Sequence, residues 1–405
     1  MTPVTASPAL TNRRRLLRAF AYYAAYVALG LSISAMGPTL PGLADQTASS
    51  LSQISIIFTA NSFGYIFGSL LGGRLFDRRP GHPVLAVTLF SIALMLFAMP
   101  LLPARWLLIV VFLLLGAAMG VLDVGGNTLI VWLFGHQVGP YMNALHLSFG
   151  VGAFLSPMII DRMVILSGGI RWAYWLLALL VAPVAVWVLR VPSPAHPQGE
   201  DHTAAGSAAG RGYLWLTILI AALMFMHVGA ELSYGGWVFS YAVALRLGPE
   251  TTARLLNSVF WGALTLGRLV AIPLAVRLRP STMLLLDLIG AALSLAVMIV
   301  FPGWTPGVWI GTFGFGFSIA SLFATCMNFA ENRMPITGRV TAIMLVGANL
   351  GSMSLPWIIG QFFESVGPRS MVYAIGINIL LALALFAGIM LYVRRLPTRA
   401  GRSQS

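Results

Sequence analysis

Apolar residues in this chain gather into runs far longer than an amphipathic stripe, separated by short clusters of arginine, proline and glycine. The runs lie at about 16–40, 52–76, 83–102, 106–134, 140–166 and 171–190, and then at 213–243, 254–278, 282–301, 307–330, 337–362 and 370–393. Most reach the roughly 20 residues that a helix needs to cross the hydrocarbon core of a bilayer, where every backbone polar group must be satisfied within the segment. The pattern predicts an all-α membrane protein with about 12 spanning helices. Between the sixth and seventh runs, residues 191–212 are rich in Pro, Ala, Gly and Ser and carry Glu200 and Asp201, the composition of a flexible linker. The expected organisation is a six-helix bundle over residues 1–190, a cytoplasmic linker over 191–212 and a second six-helix bundle over 213–405. The first run follows an arginine cluster but outlasts the apolar core of a signal peptide and lacks a small-residue cleavage site, so it reads as a retained first helix.

Composition strengthens this reading. The chain is 58% hydrophobic and 9% charged, against about 25% charged in an ordinary soluble domain, and a soluble fold could not hide that much apolar surface. A net charge of +13 raises nucleic acid as a partner. The basic residues are all arginine, however, and they form no spaced stripe; they cluster at the ends of the runs, as in Arg13, Arg14, Arg15 and Arg18 or Arg394, Arg395, Arg399 and Arg402. The partner is the lipid bilayer, with no nucleic acid. With the N-terminus in the cytoplasm, Arg105, Arg162, Arg171, Arg246, Arg254 and Arg369 fall outside, and the other 18 basic residues, Arg268 among them, fall at cytoplasmic ends. This asymmetry predicts a multi-pass inner-membrane protein with both termini cytoplasmic. Cys326 is the only cysteine, so no intramolecular disulfide or cysteine-cluster metal site is available.

The two sets of six runs resemble each other. Gly73-Arg74-Leu75 at the end of the second run recurs as Gly267-Arg268-Leu269 at the end of the eighth, an offset of 194. Asn127 in the fourth recurs as Asn328 in the tenth, an offset of 201, and Pro157 in the fifth recurs as Pro356 in the eleventh, an offset of 199. Three matches in one order and near one offset favour a parallel duplication. Such repeats put a solute site near the bilayer midplane between the two sets.

Charged residues at membrane depth are costly and are functional candidates by default. Most of the eleven acidic residues fall in loops or at run ends, whereas Asp123 and Glu231 fall inside runs. Asn127 lies one helical turn after Asp123, so a carboxylate and an amide share one stripe. A carboxylate that is neutralised and released as it faces each side of the membrane is a coupling site; a proton or sodium could do this, and helix packing is the structural alternative. Glu231 is followed by Ser233, Tyr234, Gly235, Gly236, Trp237 and Tyr241. The adjacent glycines predict a break in this helix, and the aromatic faces beside a carboxylate suit a neutral polyol, with an interfacial aromatic belt as the alternative. Asn143 and His146 give the fifth run a polar face, and Asn61, Asn257, Asn328 and Asn349 are further interior amides, each a helix tie or a solute contact. Gly64, Gly68 and Gly72, with Gly116 and Gly120, have the four-residue spacing that lets helices approach closely.

Enzyme chemistry finds no support. The chain has no lysine for a phosphate-binding loop or a Schiff base, no H-E-x-x-H metal pair, and only an incomplete glycine motif at Gly314 and Gly316. No cofactor is expected.

Gly73, followed four residues on by Asp77-Arg78-Arg79 and then by Gly81-His82, resembles the signature between spans 2 and 3 of the major facilitator superfamily. The resemblance implies that superfamily's fold and a gating role for Asp77 and Arg78 at the cytoplasmic rim. Within it, Gly37-Pro38-Thr39-Leu40, Leu122-Asp123 with Asn127, Asn143 to His146, Phe149-Gly150, Gly152-Ala153 and Val228 to Glu231 resemble the fucose–proton symporter-like group, especially its sodium-dependent glucose transporter-like branch. The fucose symporter pattern has a span-1 carboxylate that this chain lacks. The resemblance implies cation-coupled uptake of a hexose or related sugar, with Asp123 as the group's span-4 acid.

The expectation is therefore a secondary active transporter of a sugar-like small solute, coupled to protons or sodium by alternating access and working as a monomer. Asp123 and Glu231 are the coupling candidates, and Asn127, Asn143, His146, Glu231, Tyr234, Trp237, Asn328 and Asn349 are the solute-binding candidates. A proton-driven exporter of drugs or metabolites is the alternative, and a membrane receptor or scaffold is the third class. Ser156-Pro157 lacks the glycine-rich pattern typical of the superfamily's antiporters, which disfavours export.

Overall fold

A computed structural model describes residues 12–194, 211–301, 304–334 and 337–394. Residues 195–210, most of the predicted linker, lie outside the described residues. The first part of the chain forms α1 (Asn12–Ser34), α2 (Met36–Gln46), α3 (Leu51–Ile54), α4 (Ile56–Arg78), α5 (Gly81–Ala98), α6 (Arg105–Phe134), α7 (Val138–Ser167) and α8 (Arg171–Arg190). The second forms α9 (Arg211–Ala244), α10 (Glu250–Arg277), α11 (Pro280–Val300), α12 (Thr305–Ile319), α13 (Leu322–Glu331), α14 (Gly338–Phe363) and α15 (Ser370–Arg394). Among the described residues, 12 helical stretches are long and apolar enough to cross a membrane.

The punctuation read from the sequence ends these helices. Pro80 separates α4 from α5, Gly168 closes α7 with a left-handed φ of 74°, and Ser50 forms a capping box with Gln53 at the start of α3. Leu70, Val87, Leu94, Leu179, Leu293 and Leu380 are all exposed. In water that surface would be a liability; against acyl chains it is the surface a spanning bundle needs.

Packing repeats with a displacement of six spans. In the first six spans α4 packs on α6, α1 on α7 and α5 on α8; in the last six α10 packs on α12, α9 on α14 and α11 on α15. The two sets meet through α4 with α14 and through α7 with α10, a pair of contacts that exchange under the same displacement. Glycine makes the tight crossings possible. A Cβ on Gly68 would lie 1.9 Å from the Ala117 carbonyl oxygen, and one on Gly116 would lie 2.0 Å from that of Asn61.

Two features depart from the sequence reading. The predicted break at Gly235 and Gly236 does not occur, because α9 runs unbroken through both. Those glycines instead let large neighbours approach: a Cβ would meet the Trp261 ring at Gly235 and the Phe58 ring at Gly236. The interruptions lie elsewhere, at Ala35 between α1 and α2, at Ser55 between α3 and α4, and at Ala320–Ser321 between α12 and α13.

Candidate functional site

An even number of spans brings Asn12 and Arg394 to the same end of the molecule, together with Arg78, Arg190, Arg277 and Arg333. From mid-span to this arginine-rich end, the first and last six spans enclose a cavity of about 660 Å³. Its walls come from α1, α2, α4, α6 and α7 on one side and from α9, α10, α11, α13 and α14 on the other; among the described residues α5, α8 and α15 contribute nothing.

Toward the opposite end the cavity stops at Met36, Gly37, Gly235 and Trp261, and the two sets of spans lock together beyond it. Arg254 of α10 donates to buried Asp161 of α7 at 3.2 Å and to Glu250 at 2.5 Å. Glu364 at the end of α14 accepts from the Leu51 and Ser52 backbone N–H groups at 2.9 and 3.4 Å, where a carboxylate suits the start of α3. Ser52 Oγ donates to Gln361 Oε1 at 3.0 Å, and Trp237, whose Nε1 donates to the Pro356 carbonyl of its own set at 2.9 Å, lays its ring 6.0 Å from that of Phe58 in α4.

On the first wall, Asp123 is held from three sides. Tyr26 Oη of α1 donates to Oδ1 at 2.8 Å, Tyr65 Oη of α4 donates to Oδ2 at 2.8 Å, and Asn127 Nδ2 reaches Oδ1 at 3.2 Å. Asn127 is thereby turned back onto Asp123 and does not line the cavity, so it positions the carboxylate rather than facing a solute. His146 and Asn143 do line the cavity, and the His146 ring meets the edge of Tyr26 at 5.8 Å.

On the second wall, Glu231 Oε1 lies 3.4 Å from Arg268 and Oε2 lies 3.4 Å from His227. The Arg268 guanidinium also sits 5.9 Å from the Phe149 ring, which belongs to α7 across the cavity. Asn328 and Asn349 line this wall; Asn349 donates to the Leu345 carbonyl of its own helix at 2.9 Å.

Tyr234 and Trp237 are corrected by helix register. The cavity face of α9 runs through Val228, Glu231, Leu232, Gly235 and Gly236, and at 100° per residue Tyr234 and Trp237 fall beyond its edge. Tyr234 is fully buried within the last six spans, its hydroxyl 2.7 Å from Thr312 Oγ1 and its ring stacked on Phe315 at 4.7 Å. Trp237 belongs to the closed end. Asp77 and Arg78 are exposed at the end of α4, and among the described residues neither is paired with an opposite charge.

Residues that the sequence pattern does not single out complete the site. The pattern puts Arg268 at the end of its span, but it lies inside α10 and lines the cavity. Asp287 lies inside α11 and accepts from Ser321 Oγ, and Asp161 is buried against Arg254. Asp287 falls inside the 282–301 run, and that position is the available signal, whereas Arg268 is masked by its likeness to the arginines at span ends. Tyr26, Tyr65 and Trp261 carry none, since aromatics are common throughout the runs.

Comparison with known proteins agrees with this architecture. Residues 22–344 match the Major Facilitator Superfamily. Sodium-dependent glucose transporter 1A of Mus musculus is 31% identical over 372 residues, covering 84% of this chain and 88% of that protein. Sodium-dependent glucose transporter 1 of Homo sapiens is 30% identical over 371 residues, covering 83% and 72%. A crystal structure of the nucleoside transporter NupG superposes with a TM-score of 0.72 over 96% of this chain and 100% of that one at 14% identity, a likeness of fold. The chain is a multi-pass membrane protein that belongs to the Major Facilitator Superfamily of secondary transporters, closely related to the sodium-dependent glucose transporter 1 proteins, and it is not an enzyme.

Proposed function

We propose that the chain is a cation-coupled symporter of a sugar-like solute that works by alternating access. The observation that carries the reading is the chemistry of the cavity wall. Amides at Asn61, Asn143, Asn328 and Asn349 alternate with the aromatic faces of Phe149 and Trp261. Flat rings stack on the C–H faces of a sugar while amides bond its hydroxyls. The Trp261 indole N–H, buried and without an acceptor among the described residues, is a donor such a solute would satisfy. A volume of about 660 Å³ lies within the range of small-molecule sites, and relatives named as sodium-dependent glucose transporters support the same class.

In this reading residues 1–190 and 213–405 are two bundles joined by the 191–212 linker, and they rock about the cavity within a single chain. The arginine-rich end is cytoplasmic by the positive-inside rule, so the termini are cytoplasmic and the structure represents the inward-open state. Asp123 is the coupling carboxylate. Sodium or a proton that neutralises it weakens the charged acceptor on which Tyr26 and Tyr65 converge, loosening α1 and α4 from α6 and changing the balance between open states. Glu231 and Arg268 bind the solute from the other wall. Asp77 and Arg78, unpaired with an opposite charge among the described residues, engage when the cytoplasmic end closes.

Labelled hexose uptake into proteoliposomes, with sodium and proton gradients imposed separately, tests this. Accumulation should follow one of the two inward gradients. Equilibration without accumulation under either gradient would remove coupling, and efflux driven by an inward proton gradient would favour the exporter.

A further inference from the structure

Among the carboxylates that lie inside the described spans, away from their exposed ends, Asp287 is the least compensated. Asp123 has three donors, Glu231 has Arg268 and His227, and Asp161 has Arg254. Asp287 lies about two turns into α11, only partly buried, and among the described residues no basic side chain pairs with it; its hydrogen-bond donor is the Ser321 hydroxyl. A carboxylate at that depth demands a counter-charge.

The surroundings supply oxygen rather than nitrogen. Ser321 stands at the interruption between α12 and α13, and its Oγ accepts from Thr325 Oγ1 at 3.4 Å. Ser321 and Thr325 both line the cavity, so a chain of side-chain oxygens runs from its wall to the Asp287 carboxylate. α12 ends at Ile319 beside this point. The last carbonyls of a helix largely lack intrahelical partners, although that of Phe317 accepts from the Ala320 N–H, and interrupted spanning helices use such carbonyls to coordinate sodium. One carboxylate and two hydroxyls make a hard-oxygen set for a small cation.

We infer that Asp287, Ser321 and Thr325 form a sodium site in the wall contributed by the last six spans, entered from the cavity and separate from Asp123. It extends the cation-coupled reading but does not depend on which solute is carried, and its test needs neither solute nor transport. Equilibrium binding of radioactive sodium to the purified full-length chain in detergent, with choline as the balancing ion, reads the site directly. The wild type should show saturable binding. Asp287→Asn should lose one saturable component, Ser321→Ala should bind about tenfold more weakly, and Asp123→Asn should retain the component that Asp287→Asn loses. Thr325→Ala, which keeps the carboxylate, gives a milder variant, and size-exclusion profiles identify variants that remain folded. Absence of saturable sodium binding in the wild type, or unchanged binding in a folded Asp287→Asn protein, would overturn the assignment. So would proton uptake that depends on Asp287 without sodium binding.

Discussion

Asp123 places a carboxyl group in the middle of the protein with three hydrogen-bond donors and, among the described residues, no arginine ion pair. Hydrogen bonds to a charged group contribute about 1.5–3 kcal/mol each, so the two tyrosines and the amide hold it without fixing its charge as an arginine would. Asp123→Asn should keep the shape of the cluster and abolish reversible neutralisation. Gradient-driven accumulation should fall by at least about tenfold while solute exchange at equal concentrations persists, since a neutral amide cannot alternate between charge states. Unchanged accumulation would return Asp123 to a packing role. Arg268 offers a second test, because its repeat counterpart Arg74 is exposed. Arg268→Ala strips Glu231 of its strongest counter-charge and should cost about 1–3 kcal/mol, read as a lower thermal midpoint in detergent, whereas Arg74→Ala should stay within about 0.5 kcal/mol. Equal midpoints would show that the Glu231 pair contributes nothing. Asp123, Glu231, Asn143 and His146 are legible in the sequence because a polar residue inside an apolar run must face something polar. Tyr234 and Trp237 are not, because the run does not reveal which side of α9 faces the cavity. Arg268 is hidden by its resemblance to the arginines that mark span ends.

The helices themselves are legible to within a few residues, since a span of about 20 apolar residues between charged or proline-rich ends has few alternatives to crossing a membrane. Their interruptions are not, because a glycine pair serves close packing as readily as it serves a break. Gly235 and Gly236 do the first, while Ala35 and Ser321 mark breaks that no composition announces. Where the spacing of small residues points to close packing, substitution can check it. A Cβ on Gly68 would sit 1.9 Å from the Ala117 oxygen, whereas one on Gly73 would meet nothing within 4 Å. Gly68→Ala should force α4 from α6 at a cost of about 1–3 kcal/mol, and Gly73→Ala should be neutral or slightly stabilising; similar thermal midpoints for the two would refute the tight α4–α6 crossing. At the exposed end of α4, Asp77→Ala should slow net transport and leave solute affinity unchanged. Lost affinity with normal cycling would place Asp77 in the wrong part of the mechanism.

At the scale of the whole molecule, the packing of the two sets of spans repeats with a six-span displacement, in keeping with the internal matches in the sequence. The state of the molecule has no such signal, because which end is closed depends on contacts between distant helices such as Asp161 with Arg254. Topology can be measured independently: reporters fused after Arg105 or Gly367 should read as periplasmic and those within 195–210 as cytoplasmic, and the reverse pattern would invert the orientation. The central claim is that one cavity serves both sides in turn. It is tested most directly by locking the closed end, where Ser52 Oγ and Gln361 Oε1 lie 3.0 Å apart. In a Cys326→Ser background, Ser52→Cys/Gln361→Cys joined by a short reducible thiol cross-linker should still bind labelled hexose. In proteoliposomes it should fail to accumulate the sugar under the driving gradient and recover on reduction. Undiminished accumulation by the fully cross-linked protein would contradict alternating access through this cavity.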